Sequence, residues 1–128
     1  MSLNNPRSSF GSASEFTVSG LPWVTSSVAP TTTAKRFDFA KITKTITVRN
    51  LASGSAEQIA VGFTRDGING TNRFVVPAGS EMVFETRVKS VYLLSLDASS
   101  LSFSMYAGLT TIDASEMPHL TGSLWEGV

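Results

Sequence analysis

Apolar and polar residues alternate through the middle of the chain, as they do in strands that bury one face of a sheet. The alternation is cleanest at 101–106, where Leu101, Phe103 and Met105 alternate with two serines and a tyrosine. The serine face of this strand should contact water. The other predicted strands carry the same period or lie between turn residues: 15–18, 37–39, 42–49, 59–63, 74–76, 81–88 and 91–96.

The stretch from residue 72 to residue 96 contains three of these strands, joined by a turn at 77–80 and a link at 87–90. Pro77 has no N–H group to donate to a sheet and Gly79 permits a positive φ, so the chain should turn there. Period-two parity places four apolar side chains of this stretch in the core, namely Phe74, Val76, Met82 and Phe84.

Short strands separated by turn residues, with no sustained 3.6-residue period, predict an all-β protein. We expect an antiparallel β-sandwich, a single jelly roll of about eight strands. The predicted boundaries are an N-terminal arm at 1–14, the sandwich at 15–107, and a C-terminal tail at 108–128 that packs on the sandwich or on a neighbour. A chain of 128 residues can bury a core without a disulfide or a metal.

Loops and turns join the strands at recognisable residues. Residues 20–33 contain Gly, Pro and a run of threonines and should form a long loop, which Trp23 and Val24 anchor to the core. The Asp-Gly and Asn-Gly pairs within 65–70 predict a tight turn. Residues 113–116, followed by Met-Pro, predict a single capped helical turn.

The chain has ten basic and ten acidic residues, and its formal net charge is zero. This balance disfavours bulk nucleic acid and anionic membranes as partners. The charges are uneven along the chain, because residues 1–80 carry eight basic against four acidic residues and residues 81–128 carry two against six. The two segments could form complementary patches between subunits, or their charges could pair across one sheet or lie apart in water, where each contributes little.

Half of the positive charge lies between residues 35 and 49 and forms a candidate basic patch, Lys35, Arg36, Lys41, Lys44 and Arg49. A nucleic-acid platform would add stacking aromatic rings to the face that carries these charges. Phe37 and Phe39 have the opposite parity to Arg36 and should lie in the core. Nucleic acid is therefore disfavoured as a partner.

Catalytic and metal-binding groups are sparse in this sequence. It has no cysteine, no Gly-x-Ser-x-Gly motif, and one histidine, His119, in the aperiodic tail. Asp66, Asn69 and Asn72 offer oxygen ligands in one loop, but calcium prefers roughly six to eight oxygens with several carboxylates. We therefore expect no enzyme activity, no metal, no cofactor and no small-molecule substrate.

Three features together resemble a family of viral structural proteins. They are the start Asn4, Asn5 and Pro6, the Val-Pro-Ala-Gly turn at 76–79 between two strands, and Trp125 after a β segment. In outline the chain resembles the small single jelly-roll capsid proteins of icosahedral viruses. Its nearest likeness is to the penton proteins of tailless, membrane-containing bacteriophages such as the tectiviruses.

This resemblance implies a vertex (penton) or minor capsid protein located in the virion. It implies a homo-oligomer, with a pentamer favoured, that also contacts other capsid proteins. The protein should otherwise be soluble, because no run approaches the roughly 20 apolar residues that span a membrane. Candidate assembly contacts lie in the arm, the first connection and the tail, at Asn4, Asn5, Phe10, Trp23, Leu124 and Trp125.

A carbohydrate-binding or adhesive β-sandwich is the alternative function. Aromatic rings exposed on one sheet face would then stack on a sugar, and the candidates are Trp23, Tyr92, Tyr106 and Trp125. A cupin-like hydrolase or isomerase is disfavoured, because it needs clustered histidines and carboxylates for a metal.

Overall fold

The computed structural model of the protein describes residues 21–116. This part of the chain forms two four-stranded antiparallel sheets that pack face to face. The strands are β1 (Leu21–Ala29), β2 (Lys35–Asp38), β3 (Lys41–Asn50), β4 (Ile59–Gly62), β5 (Phe74–Val76), β6 (Glu81–Phe84), β7 (Ser90–Ser95) and β8 (Leu101–Asp113). A short helix, α1 (Arg65–Asn69), follows β4, and a 3-10 helix (Ala114–Glu116) follows β8.

The strand order identifies the topology. Sheet 1 has the order β1-β8-β3-β6 and sheet 2 the order β2-β7-β4-β5. The first strand pairs with the last, the second with the seventh, the third with the sixth and the fourth with the fifth, all antiparallel. This nested pairing is a long hairpin folded over into two sheets, which is a jelly roll. The predicted all-β antiparallel sandwich is confirmed.

The core lies between the sheets, and β8 shows how the sequence pattern builds it. Leu101, Phe103 and Met105 are buried, whereas Ser102 and Tyr106 are exposed on the other face. The two-faced strand predicted at 101–106 is therefore confirmed. Burying such side chains stabilises the sandwich by about 25 cal/mol per Å² of apolar surface removed from water.

A second, smaller apolar cluster covers the outer face of sheet 2. Ile68 of α1 packs with Ala60, Tyr92 and Leu94, so β4 is buried on both faces. The tight turn predicted at 65–70 is instead a helix, because Thr64 caps it by accepting a hydrogen bond from the Gly67 N–H at 2.9 Å.

The first described strand replaces a predicted loop. The expectation of a long connection at 20–33 is wrong for Leu21 to Ala29, which pair with β8 along nine consecutive positions. Val24, predicted to anchor this segment, is 72% exposed and points away from the core. Trp23 does pack against the core. Serines and threonines occupy both inward and outward positions of this strand, so the segment lacks the alternation of apolar and polar residues that predicts a strand.

The last strand is longer than predicted. Regular structure was expected to end at residue 107, but β8 continues to Asp113, so residues 108–113 are part of sheet 1. Four consecutive residues, 107–110, are buried, and this burial on both faces removes the period-two signal. Thr110 tolerates burial because its hydroxyl donates to the Ile42 carbonyl at 2.7 Å. The helical turn expected at 113–116 appears as the 3-10 helix.

β3 is irregular at Thr43, and β6 is shorter than predicted. The β3–β8 register shifts on both sides of Thr43, and the hydroxyl of this buried residue donates to the Thr86 carbonyl and accepts from the Val88 N–H. The chain at 85–88 therefore leaves the regular ladder, and β6 ends at Phe84 rather than reaching Val88 as predicted.

The predicted turn at 77–80 is confirmed. Gly79 has a φ of 70°, a left-handed conformation that glycine adopts without strain. The Ser80 N–H donates to the Pro77 carbonyl at 3.1 Å. The backbone of Asn50 holds the turn against the end of β3, because its N–H donates to Ser80 and its carbonyl accepts from the Gly79 N–H.

The side chain of Asn50 joins the two sheets. It is fully buried, and its amide group donates to the Glu57 carbonyl at 2.8 Å and to the Val76 carbonyl at 3.1 Å. Its oxygen accepts from the Ala52 N–H at 2.9 Å. Val76 belongs to β5 in sheet 2, so a side chain at the end of β3 in sheet 1 satisfies one backbone group of sheet 2 and two of the 51–58 loop.

Replacing Asn50 with alanine should lower the free energy of unfolding by about 3 kcal/mol, because buried backbone groups lose their partners. Urea denaturation followed by circular dichroism measures this change. Asn69→Ala, the same substitution at an exposed residue of α1, should cost no more than about 0.5 kcal/mol. Equal costs for the two variants would contradict the role assigned to Asn50.

Candidate assembly surface

The outer face of sheet 1 carries a cross-strand row with an exposed apolar residue on three strands and the partly exposed Thr47 on the fourth. Val24, Tyr106, Thr47 and Val83 lie side by side, because the register pairs Val24 with Tyr106, Tyr106 with Thr47, and Thr47 with Val83. Val24 is 72% exposed, Val83 49% and Tyr106 41%. We call these four residues the outer band. Side chains alternate between the two faces of a strand, so these four residues share the outer face while the residues before and after each of them face the core.

A shallow groove of about 480 Å³ runs beside the outer band. Its polar wall comes from the next cross-strand row, Ser26, Ser104, Arg49 and Glu81. The hydroxyls of Ser26 and Ser104 are 2.8 Å apart and share a hydrogen bond. The groove therefore combines an apolar floor with hydroxyls and one residue of each charge.

The edge of sheet 1 at β1 is long. Within residues 21–116, this nine-residue strand pairs with β8 on one side only. The other edge strands, β2, β5 and β6, have four, three and four residues. A long edge presents a row of backbone N–H and carbonyl groups that can pair with another chain. The outer band begins on this edge strand at Val24.

The candidate assembly contacts are only partly within the described chain. Trp23 packs inside its own subunit, with its ring edge-on to Phe37 at 5.9 Å and to Phe39 at 4.9 Å between centroids. Its role between subunits stays a prediction. The other candidates lie outside the described residues and also stay predictions, namely Asn4, Asn5, Phe10, Leu124 and Trp125.

The five residues of the candidate basic patch do not come together. Lys35 and Arg36 lie on β2 in sheet 2, whereas Lys41, Lys44 and Arg49 lie on β3 in sheet 1. Lys41 and Arg49, at opposite ends of β3, are about 27 Å apart at about 3.4 Å per residue. Closeness in sequence therefore does not produce one positive surface.

Local partners surround Lys35, Arg36 and Lys41. The Lys35 ammonium donates to the Ser27 hydroxyl at 3.0 Å. Arg36 donates to the Asp38 carboxylate at 2.6 Å, and this hydrogen bond and the attraction between the charges raise the pKa of Arg36. Lys41 forms an ion pair with Asp113.

The oppositely charged halves of the sequence interleave in space. In sheet 1, β3 of the basic half lies between β8 and β6 of the acidic half. The Lys41–Asp113 pair joins the two halves within one subunit. Exposed pairs of this kind contribute about 0 to 1 kcal/mol. Pairing across one sheet, rather than complementary patches on opposite sides, fits this arrangement.

Residues considered for chemistry are dispersed. Asp66 and Asn69 lie on α1, and within residues 21–116 no group of three or more His, Cys, Asp or Glu side chains could hold a metal ion. His119 lies outside the described residues. In the β7–β8 loop, Asp97 accepts hydrogen bonds from Ser99, and these lower the pKa of its carboxyl group. No helix between residues 21 and 116 is long and apolar enough to cross a membrane.

Comparison with known proteins finds no matching family model, curated protein or solved structure. A functional inference for this chain therefore depends on its own surfaces and on the resemblance described above.

The outer band was missed by sequence reasoning, although one signal for it is present. Val83 has the outward parity of Glu81 and Glu85, so an apolar residue stands where the pattern expects a polar one. Val24 gives no such signal, because its strand was not recognised. Tyr106 was identified only as a possible sugar-stacking ring.

If the outer band serves an external contact, its residues should contribute little to the stability of the free subunit. Val83→Ala should change the free energy of unfolding by no more than about 0.5 kcal/mol. Val48→Ala, on the neighbouring strand but fully buried, should cost about 1 to 3 kcal/mol. Thermal and urea denaturation of both variants check this, and a large loss in Val83→Ala would mean that the band supports the fold.

Proposed function

We propose that this protein is a structural subunit of an icosahedral virus shell, a vertex (penton) or minor capsid protein that acts through contacts between subunits. The observation that carries the proposal is the outer band, which exposes apolar side chains on three of the four strands of sheet 1. Exposed apolar surface that extends over several strands favours burial against a protein partner. The jelly-roll fold and the sequence resemblance support the same role.

The geometry of sheet 1 suits assembly in a ring. A ring uses a heterologous interface, in which one side of a subunit meets a different side of the next. Sheet 1 has two dissimilar edges, the nine-residue β1 and the four-residue β6. Val24 lies on the first of these strands and Val83 on the second, so the outer band reaches both sides of the subunit. A homo-oligomer, with a pentamer favoured, follows from this proposal.

The proposal predicts that a charge in the outer band prevents association. Val83→Glu places a carboxylate among apolar contacts, and burying it unpaired in an interface is strongly unfavourable. The variant should sediment as a monomer at concentrations where the unmodified protein forms oligomers. Sedimentation velocity measures the distribution of masses.

Ala98→Glu is the matched control, because it adds the same charge in the exposed β7–β8 loop, away from the outer band. This variant should associate like the unmodified protein. Both variants should retain the far-ultraviolet circular dichroism of the β fold. Unaltered association of Val83→Glu would remove the outer band from the proposed interface.

Binding of carbohydrate is the second candidate function, and the groove beside Tyr106 favours it. An exposed ring flanked by Ser26, Ser104, Arg49 and Glu81 combines a stacking surface with hydrogen-bonding groups. Tyr92 is buried and Trp23 packs in the core, so neither adds to a sugar platform.

Isothermal titration with a panel of glycans separates the two candidates. The assembly proposal predicts no heat of binding. Binding that disappears in Tyr106→Ala but persists in Tyr92→Phe would instead favour the carbohydrate module.

A further inference from the structure

The edge of β1 that faces away from β8 presents a definite set of backbone groups. Just beyond the end of β3, the Leu51 N–H donates to the Ser102 carbonyl at 3.1 Å, so Ser102 of β8 directs its backbone groups towards β3 and away from β1. Successive residues of a strand direct these groups to opposite sides, so the odd-numbered residues of β8 bond to β1. Their partners are also odd-numbered, since Leu101 pairs with Ala29. The even-numbered residues of β1 therefore direct their N–H and carbonyl groups to the outer edge.

Two prolines mark the ends of this edge. Pro22 has no N–H group, and at an even-numbered position of β1 the missing group would face outwards, so the ladder with β8 loses no hydrogen bond. Pro30, directly after β1, also lacks an N–H group, and its carbonyl accepts a hydrogen bond from β7 in sheet 2. The positions that offer both a donor and an acceptor lie between the prolines, at Val24, Ser26 and Val28.

The edge positions are palindromic. Residues 22, 24, 26, 28 and 30 read Pro-Val-Ser-Val-Pro, which is the same in both directions about Ser26. Two copies of such a strand can pair antiparallel across a two-fold axis, because each position then meets its equivalent on the other side of the axis. With the axis at Ser26, Val24 of one copy lies opposite Val28 of the other. All three positions become hydrogen-bonded pairs, which supply about six backbone hydrogen bonds.

The side chains favour this register over the next one. Val24 is 72% exposed and Val28 46%, and both lie on the outer face of sheet 1. Pairing them across the axis buries apolar surface and extends the outer band of each copy by the Val28 of the second copy. An axis at Thr25 would instead place Val28 opposite Pro22, where the Val28 carbonyl finds no donor. The register centred on Ser26 therefore uses the edge most completely.

Charge does not oppose the approach of two identical edges. Residues 21–29 contain no charged side chain. Natural edge strands commonly carry a lysine or another charge that prevents pairing with a second chain. Lys35 reaches β1 from the side of sheet 2, where its ammonium donates to the Ser27 hydroxyl at 3.0 Å, and salt screens the repulsion between two such exposed charges. The edge therefore lacks the usual protection against a copy of itself.

We propose that two copies of this chain pair antiparallel through β1 across a two-fold axis at Ser26, so that their two copies of sheet 1 join into one continuous sheet. The inference goes beyond the proposed function and does not depend on it. The contact uses the backbone of the β1 edge and leaves Val83 and the β6 edge uncovered, so it is separate from a contact through Val83. Its interface is small, because residues 24–28 of each copy supply the ladder, and it should form at higher protein concentrations than a ring.

Disulfide trapping tests both the contact and its register, because the chain has no cysteine of its own. The Cα atoms of a hydrogen-bonded antiparallel pair are about 5.5 Å apart, a distance that a disulfide spans. Ser26→Cys should therefore form a covalent dimer under mild oxidation, measured by electrophoresis without reductant.

Val28→Cys is the matched control, because it places a cysteine on the same edge and the same face. In the register centred on Ser26, the two copies of residue 28 are separated by four residues along the strands, or about 14 Å, which is too far for a disulfide. Ser26→Cys should give several-fold more covalent dimer than Val28→Cys.

Sedimentation of a proline variant gives a second readout. The Ser26 N–H faces the outer edge, so Ser26→Pro removes a donor from the pair of copies without removing one from the β1–β8 ladder. In the Val83→Glu background, where the proposed ring contact is absent, a dimer should form at high concentration, and adding Ser26→Pro should abolish it. Adding Ser26→Ala should retain the dimer, because this variant loses the same hydroxyl contact with Ser104 but keeps the N–H.

Equal trapping of Ser26→Cys and Val28→Cys would overturn the proposal, and this test stands even if Ser26→Pro does not fold. A Val83→Glu protein that stays a monomer at every concentration, or a dimer that Ser26→Pro leaves unchanged, would also overturn it. Failure of the proposed function is a different result: Val83→Glu would then associate like the unmodified protein, while the trapping results expected here would be unaffected.

Discussion

Asn50 is held inside the sandwich, where every polar group of its side chain must find a protein partner because water is excluded. Those partners lie in the 51–58 loop and in β5, while its backbone holds the turn at Gly79. A single residue therefore fixes the end of sheet 1 against sheet 2. The other parts of the jelly roll depend on this constraint, since it sets where β3 ends and where the chain reverses from β5 into β6.

How much of the fold was predictable depends on whether a strand buries one face or two. The sequence pattern predicts β8 at 101–106, where one face of the strand contacts water. It does not predict the strand at 107–110, where both faces are buried. The turn at Gly79 was predicted because Pro and Gly have conformational requirements that act locally. β1 was not predicted, because its nine-residue ladder with β8 depends on residues about 80 positions away. Similarly, α1 depends on Ile68 packing beneath Gly62, which sequence order does not reveal.

The candidate assembly surface likewise could not be predicted from residues that are close in sequence. Five basic residues close in sequence suggested a patch, but the turn between β2 and β3 assigns them to different sheets. Val24, Tyr106 and Val83, which are far apart in sequence, become neighbours because β8 and β3 lie between β1 and β6. A surface made from cross-strand rows requires the register of all four strands, and that register follows from tertiary pairing rather than from any local pattern.

Association of subunits through sheet 1 is the central claim of this account, and the mass of the full chain in solution tests it most directly. The subunit mass is 13.6 kDa. Sedimentation equilibrium over a rising concentration series should give a discrete multiple of this mass, with five subunits favoured. A mass of one subunit at every concentration, together with failure to associate with any viral shell, would contradict the account.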